Sequence, residues 1–100
     1  MVKHIVLWKL KDQAEGAPKR ENSKKMKEML EGLKEKISQI RELEVGFQLE
    51  PSEGAFDVAL VSSFGSKADL EIYQKHPDHQ EVAAFVKKVV SDRKVVDYEV

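Results

Sequence analysis

Four side chains of the sequence could move a proton or hold a ligand near neutral pH: His4, Tyr73, His76 and His79. Three of them fall in one stretch, Tyr73-Gln-Lys-His76-Pro77-Asp78-His79, and the fourth lies near the start of the chain. A neutral imidazole titrates close to operating pH and can take a proton from a carbon next to a carbonyl. A phenol can donate a hydrogen bond to the enolate that then develops. Tyr73 and His79 are separated by a proline, so they are not bound to one continuous helix face. The break could turn both into one pocket, which His4 could enter from the first strand.

Each of these residues also has a plainer role. Tyr73 follows Leu70 at helical spacing and could be ordinary packing with its hydroxyl satisfied. His76 stands before Pro77, where a ring nitrogen can serve backbone groups left open at a helix junction. His79 could cap the same junction or face solvent. His4 shares a strand face with Val6 and Trp8, the setting of a satisfied core histidine. Metal binding by His76 and His79 is disfavoured: Pro77 spoils the regularity of their spacing, and no third ligand is in evidence.

The elements that must position these residues follow from periodicity. Val2 to Leu10 is dense in β-branched and aromatic residues and reads as a strand apolar on both faces. After a polar loop with Gly16, Pro18 suits the first turn of a helix. Met26, Met29, Leu30, Leu33, Ile37 and Ile40 form one helical stripe, predicting a helix over 18–40. Leu43, Val45, Phe47 and Leu49 alternate with polar residues as a half-buried strand does. A turn at Pro51-Ser-Glu-Gly54 leads to a third strand from Phe56 to Phe64. Ser66-Lys-Ala-Asp69 is a helix-capping pattern. The helix it opens must falter at His76, and Pro77 can start the next one. Val95 to Val100 closes the chain as a strand.

One hundred residues suit a single domain over 1–100, and a hydrophobic share of 41% is too high for disorder. A net charge of −1 supplies no field for nucleic acid or acidic membrane. The run Lys24-Lys25-Met26-Lys27 is interleaved with acids and reads as a solvated helix face. The absence of cysteine removes disulfides and thiolate metal sites, and no apolar run reaches the length of a membrane span. No secretory leader is recognisable at the start of the chain, so a cytoplasmic protein is expected.

The order strand, helix, strand, strand, broken helix, strand is the ferredoxin-like β-α-β-β-α-β arrangement, an α+β fold with a four-stranded antiparallel sheet. Its helices cover one sheet face. The other would expose Ile5, Leu7, Ala59 and Val61 or their alternates, and a second copy packed sheet to sheet is the simplest cover. A homodimer through the open face is therefore expected.

Lys3-His-Ile-Val-Leu-Trp-Lys-Leu-Lys and Tyr73-Gln-Lys-His-Pro-Asp-His-Gln together resemble the stress-responsive α/β-barrel domain (Dabb) family, over essentially the whole chain. The resemblance implies a dimeric α/β barrel. Plant relatives are associated with stress responses, some members form larger stable assemblies, and many have no established reaction. Polyketide cyclases of the family close a poly-β-ketone thioester by an aldol-type step without a cofactor. Their catalytic tyrosine and histidine match Tyr73 and His79 here, and a cavity-lining histidine matches His4. His76 is counted with His4 as a candidate ligand-binding residue. Where those cyclases carry a further cavity histidine in the third strand, this sequence has Asp57-Val58. Two functions are thereby expected as alternatives. One is a stable homodimer of unassigned reaction with a small-molecule cavity; the other is a cofactor-free cyclase, lyase or isomerase acting on a carbonyl compound.

Overall fold

The computed structural model describes the full chain, Met1–Val100. The elements run β1 (Val2–Leu10), β2 (Gln13–Ala14), β3 (Ala17–Pro18), α1 (Lys19–Lys36), β4 (Ile40–Phe47), β5 (Val58–Phe64), α2 (Lys67–Lys75), α3 (Pro77–Val89) and β6 (Val90–Glu99). The main sheet has the order β4-β5-β1-β6, and every neighbouring pair is antiparallel. This is the ferredoxin-like α+β fold, with the second helix divided in two.

β1 is the central organiser, because its two side-chain rows have different fates. Val2, His4, Val6, Trp8 and Leu10 are all buried on the side the helices cover. Lys3, Ile5, Leu7 and Lys9 point the other way, as alternation along a strand requires. α1 contributes Met26, Leu30 and Leu33 to the covered side, with Ile37 following. Its last turn carries Lys34 and Lys36, which complement the negative end of the helix dipole.

α1 stops at Lys36, short of the predicted limit at Ile40. Ile37 is already extended at φ −120° and ψ 106°, and Ile40 pairs with Phe64 as the first residue of β4. Both isoleucines remain buried, so the helical period of the stripe carried on across a turn at 38–39 that serves the same core. Pairing with β5 won over helix extension, since it satisfies backbone groups as well as burying the side chain. Leu49 lies beyond β4 and is 97% exposed, so the alternation from Leu43 ends at Phe47.

β6 begins at Val90, five residues before the predicted start, and pairs with β1 along its whole length. Ser91-Asp92-Arg93-Lys94 conceals it, because an edge strand has one wet flank and polar residues there discourage pairing with other chains. The loop before α1 holds a small β2–β3 hairpin turned by Glu15 and Gly16, both at positive φ. Buried Asn22 ties it to α1 by donating to the carbonyls of Ala14 and Ala17.

The uncovered face carries Ile5 between Val61 and Val96, Leu7 between Ala59 and Lys94, and Lys3 between Ser63 and Tyr98. Leu7, Val96 and Tyr98 are well exposed. No helix is long and apolar enough to cross a membrane.

Candidate functional site

The break between α2 and α3 builds the site. Ser66 caps α2, its hydroxyl accepting the N–H of Asp69 at 3.1 Å. The residue before a proline is pushed out of the helical region, and His76 sits at φ −64° and ψ 136°. It closes one helix and opens the next. Its N–H donates to the Tyr73 carbonyl at 3.2 Å, and its Nδ1 accepts the N–H of Asp78 at 3.1 Å. These bonds tie His76 to the helix junction, and it does not line the cavity that the other three candidates share.

The change of direction brings Tyr73, near the end of α2, against His79, in the first turn of α3. Their ring centroids are 4.5 Å apart, tilted by 56°. His79 Nδ1 lies 3.2 Å from the Gln74 carbonyl. A carbonyl only accepts, so Nδ1 carries the proton and Nε2 holds the free lone pair. That carbonyl belongs to the last turn of α2, where the break leaves acceptors unclaimed.

His4 reaches the same volume from β1, its ring 6.2 Å from that of Tyr73 in an edge-on arrangement. His4 Nδ1 is 2.5 Å from Oδ1 of Asp97, its cross-strand partner on β6. The carboxylate fixes the ring's orientation and tautomer, leaving Nε2 free. Asp97 is absent from the sequence-based set of site residues. The register of β1 against β6 would have pointed to it, but that pairing joins residues 93 apart in the chain.

His4, Tyr73 and His79 line one cavity of about 570 Å³, within the range of small-molecule sites. Val6, Trp8, Leu30, Leu60 and Val86 supply apolar wall, and Lys87, Asp92 and Arg93 stand at the polar end. Asp57 and Val58 are not part of it. The Asp57 carboxylate accepts the N–H of Leu10 at 2.8 Å and pairs with Lys19, while Val58 is core. No group of three or more His, Cys, Asp or Glu side chains is gathered as a metal site would need.

Tyr73 is fully buried, and its hydroxyl has no hydrogen-bond partner in the protein. Burial pushes its pKa up to about 12, so it stays a neutral donor at physiological pH. The His79 pKa is lowered, first by burial and then by the charges of His4, Arg93 and His76, while the bond to the Gln74 carbonyl opposes the shift. The pair is thus a protonated phenol beside a neutral imidazole. That state suits proton removal from a substrate together with hydrogen bonding to its oxygen.

The fold is ferredoxin-like, and its helix break carries the sequence Tyr-x-x-His-Pro-x-His. The chain matches the family described as Stress responsive A/B Barrel Domain (Dabb) over residues 2–100, and it belongs to that family. It is similar to a dimeric protein of unknown function and ferredoxin-like fold from Bacteroides fragilis. That structure is 38% identical with a TM-score of 0.85, and the match covers 99% of this chain and 95% of that one. A dimeric ferredoxin-like protein of unknown function from Thermobifida fusca is 23% identical, with a TM-score of 0.85 over 99% of this chain and 90% of that one. A hydroxynitrile lyase from Passiflora edulis is 23% identical, with a TM-score of 0.83 over 97% of this chain and 90% of that one. Likeness at 23% identity shows the shared fold alone. No match was found among curated proteins.

Proposed function

We propose that the protein is a homodimer whose cavity binds a small carbonyl compound, and that Tyr73 and His79 perform acid–base chemistry on it without a cofactor. The observation that carries this reading is the buried, unpartnered Tyr73 hydroxyl at a cavity shared with two histidines. A buried hydroxyl without a partner costs roughly 1–3 kcal/mol, a cost a ligand oxygen would relieve. In this scheme His79 Nε2 takes a proton from the carbon next to the carbonyl, or from a hydroxyl on the adduct being cleaved. Tyr73 donates its hydrogen bond to the carbonyl oxygen, and His79 returns the proton to the product. His4, held by Asp97, supports the substrate from the sheet side. Cyclisation, carbon–carbon cleavage and isomerisation all use these moves. The hydroxynitrile lyase among the structural neighbours is compatible with a lyase reading, since a hydroxynitrile is the adduct of a carbonyl compound.

A screen of β-ketothioesters, cyanohydrins and aldols with wild type, Tyr73→Phe and His79→Ala tests the assignment. Turnover by wild type should fall at least about a hundredfold in each variant, the usual contribution of a positioned acid or base. Turnover surviving both substitutions would remove the pair from the mechanism.

The homodimer reading rests on the open sheet face, with Ile5, Leu7, Val61 and Val96 at its centre, and is supported by the dimeric neighbours. Leu7→Asp places a charge in that patch and should halve the mass measured by light scattering. A dimer that persists in the variant would rule this face out.

A further inference from the structure

The cavity has two ends of different chemistry, and the elements that build it measure the distance between them. Across β1 and β6, His4 is paired with Asp97 and Trp8 with Arg93. The pairs are four steps apart along the strand, about 13 Å at roughly 3.3 Å per residue. Along α3, His79 and Lys87 both line the cavity. They are eight steps apart along the helix, about 12 Å at roughly 1.5 Å per residue. Strand and helix agree, so the site is a trough with the acid–base cluster at one end and two cations at the other.

Between the ends the wall is apolar, with Val6, Ala83 and Val86. Neither cation has a carboxylate partner within the protein: the ion pairs of the chain use Lys19, Lys27, Lys88, His4 and His76. Asp92, the one acid at that end, accepts the backbone N–H of Arg93 at 2.8 Å. The polar end therefore holds a net positive charge. Arg93 lines the cavity at this end. Its long side chain shortens the span a ligand must bridge to less than the backbone separation.

We propose that the cavity takes an elongated apolar keto acid, with its ketone between Tyr73 and His79 and its carboxylate held by Arg93 and Lys87. This rests on the acid–base reading of the site and narrows its substrate class. A guanidinium can grip a carboxylate with two parallel hydrogen bonds, and the ammonium adds a second charge. An uncharged ester of the same shape loses both.

Trp8 is the sole tryptophan and lines the cavity, so its fluorescence reports occupancy. The probes are para-acetylcinnamate, a rigid aryl keto acid, and its methyl ester, titrated into wild type, Arg93→Gln/Lys87→Gln and Tyr73→Phe. The acid should bind wild type about tenfold more tightly than the ester at low salt, with the preference shrinking as salt screens the charges. The double variant should lose the preference and keep the affinity for the ester, which shows that its cavity is intact. Equal affinities in wild type, a preference that survives in the double variant, or no response of Trp8 to either probe at millimolar concentration would each overturn the proposal. Tyr73→Phe tests the other end by itself. Weaker binding of acid and ester alike upholds the ketone placement. Unchanged binding of both, with the preference for the acid intact, would overturn the acid–base reading and leave the carboxylate site standing.

Discussion

The helix-covered side of the sheet is two regions with opposite priorities. Where α1 lies over β4 and β5, Met26, Leu33, Ile37 and Val58 are buried to 2% exposure or less, and the interior is hydrocarbon. Where α2 and α3 meet β1 and β6, the interior holds two histidines, an unpartnered hydroxyl and a cavity of about 570 Å³. Protein interiors are packed like crystals of small molecules, so a hollow lined with titratable groups is a departure that the dense region must offset. The contrast teaches that hydrocarbon packing and titratable groups are concentrated in different parts of the sheet, β4 and most of β5 on one side and the β1–β6 edge on the other. Leu60 of β5 and Leu30 of α1 serve as wall between them. β1 serves both, through Val6 and Trp8 and through His4.

The largest effect expected from this division is in the dense half. Leu33→Ala should cost about 2–5 kcal/mol in urea unfolding, the range for a large-to-small change in a core that cannot collapse. Leu33 is only 1% exposed, so there is little room for relaxation. Ligand affinity of the folded variant should hardly change. A cost below about 1 kcal/mol would mean that the dense half is looser than its burial implies.

Tyr73→Phe should have the opposite sign. Removing a buried hydroxyl that has no partner leaves the ring's contacts with Phe64, at 5.0 Å between centroids, and removes a desolvation cost. The variant should gain about 1 kcal/mol in the same unfolding experiment while losing turnover. A loss of stability would mean that the hydroxyl is satisfied in solution, and the division between the two halves would then weaken.

Much of this division was legible in the sequence, for reasons that can be named. Alternation along β1 and the stripe of Met26, Leu30 and Leu33 depend on local periodicity, and the helix break depends on the steric rule for the residue before a proline. Those features stand as expected. The end of α1 and the start of β6 depart from the local pattern because each depends on pairing with a remote strand. Ile40 keeps helical spacing while serving β5, and Ser91 to Lys94 carry no apolar alternation while lying along β1. The site was legible to the same depth. Proximity of Tyr73 and His79 follows from a local break, whereas the partnership of His4 with Asp97 and the placement of Arg93 opposite Trp8 follow from register. Nothing in a single sequence states register between residues so far apart in the chain.

The smallest expected effect sharpens the comparison by pH. Unfolded His79 titrates near 6.5 and folded His79 below that, mainly because burial disfavours the charged ring. Between the two values the unfolded chain binds the extra proton, so stability rises with pH across that window. The contribution is complete above 6.5 and is lost as pH falls toward the lowered value. His79→Gln should flatten this part of the stability profile relative to wild type, in urea midpoints measured from neutral to mildly acidic pH. The same shift keeps Nε2 a base below 6.5, so the acidic limb of any turnover profile should also lie below that value. If wild type and His79→Gln share one slope, then His79 is solvated rather than set in the hollow half. The cavity would then have lost the residue that makes it a chemical site instead of a packing defect.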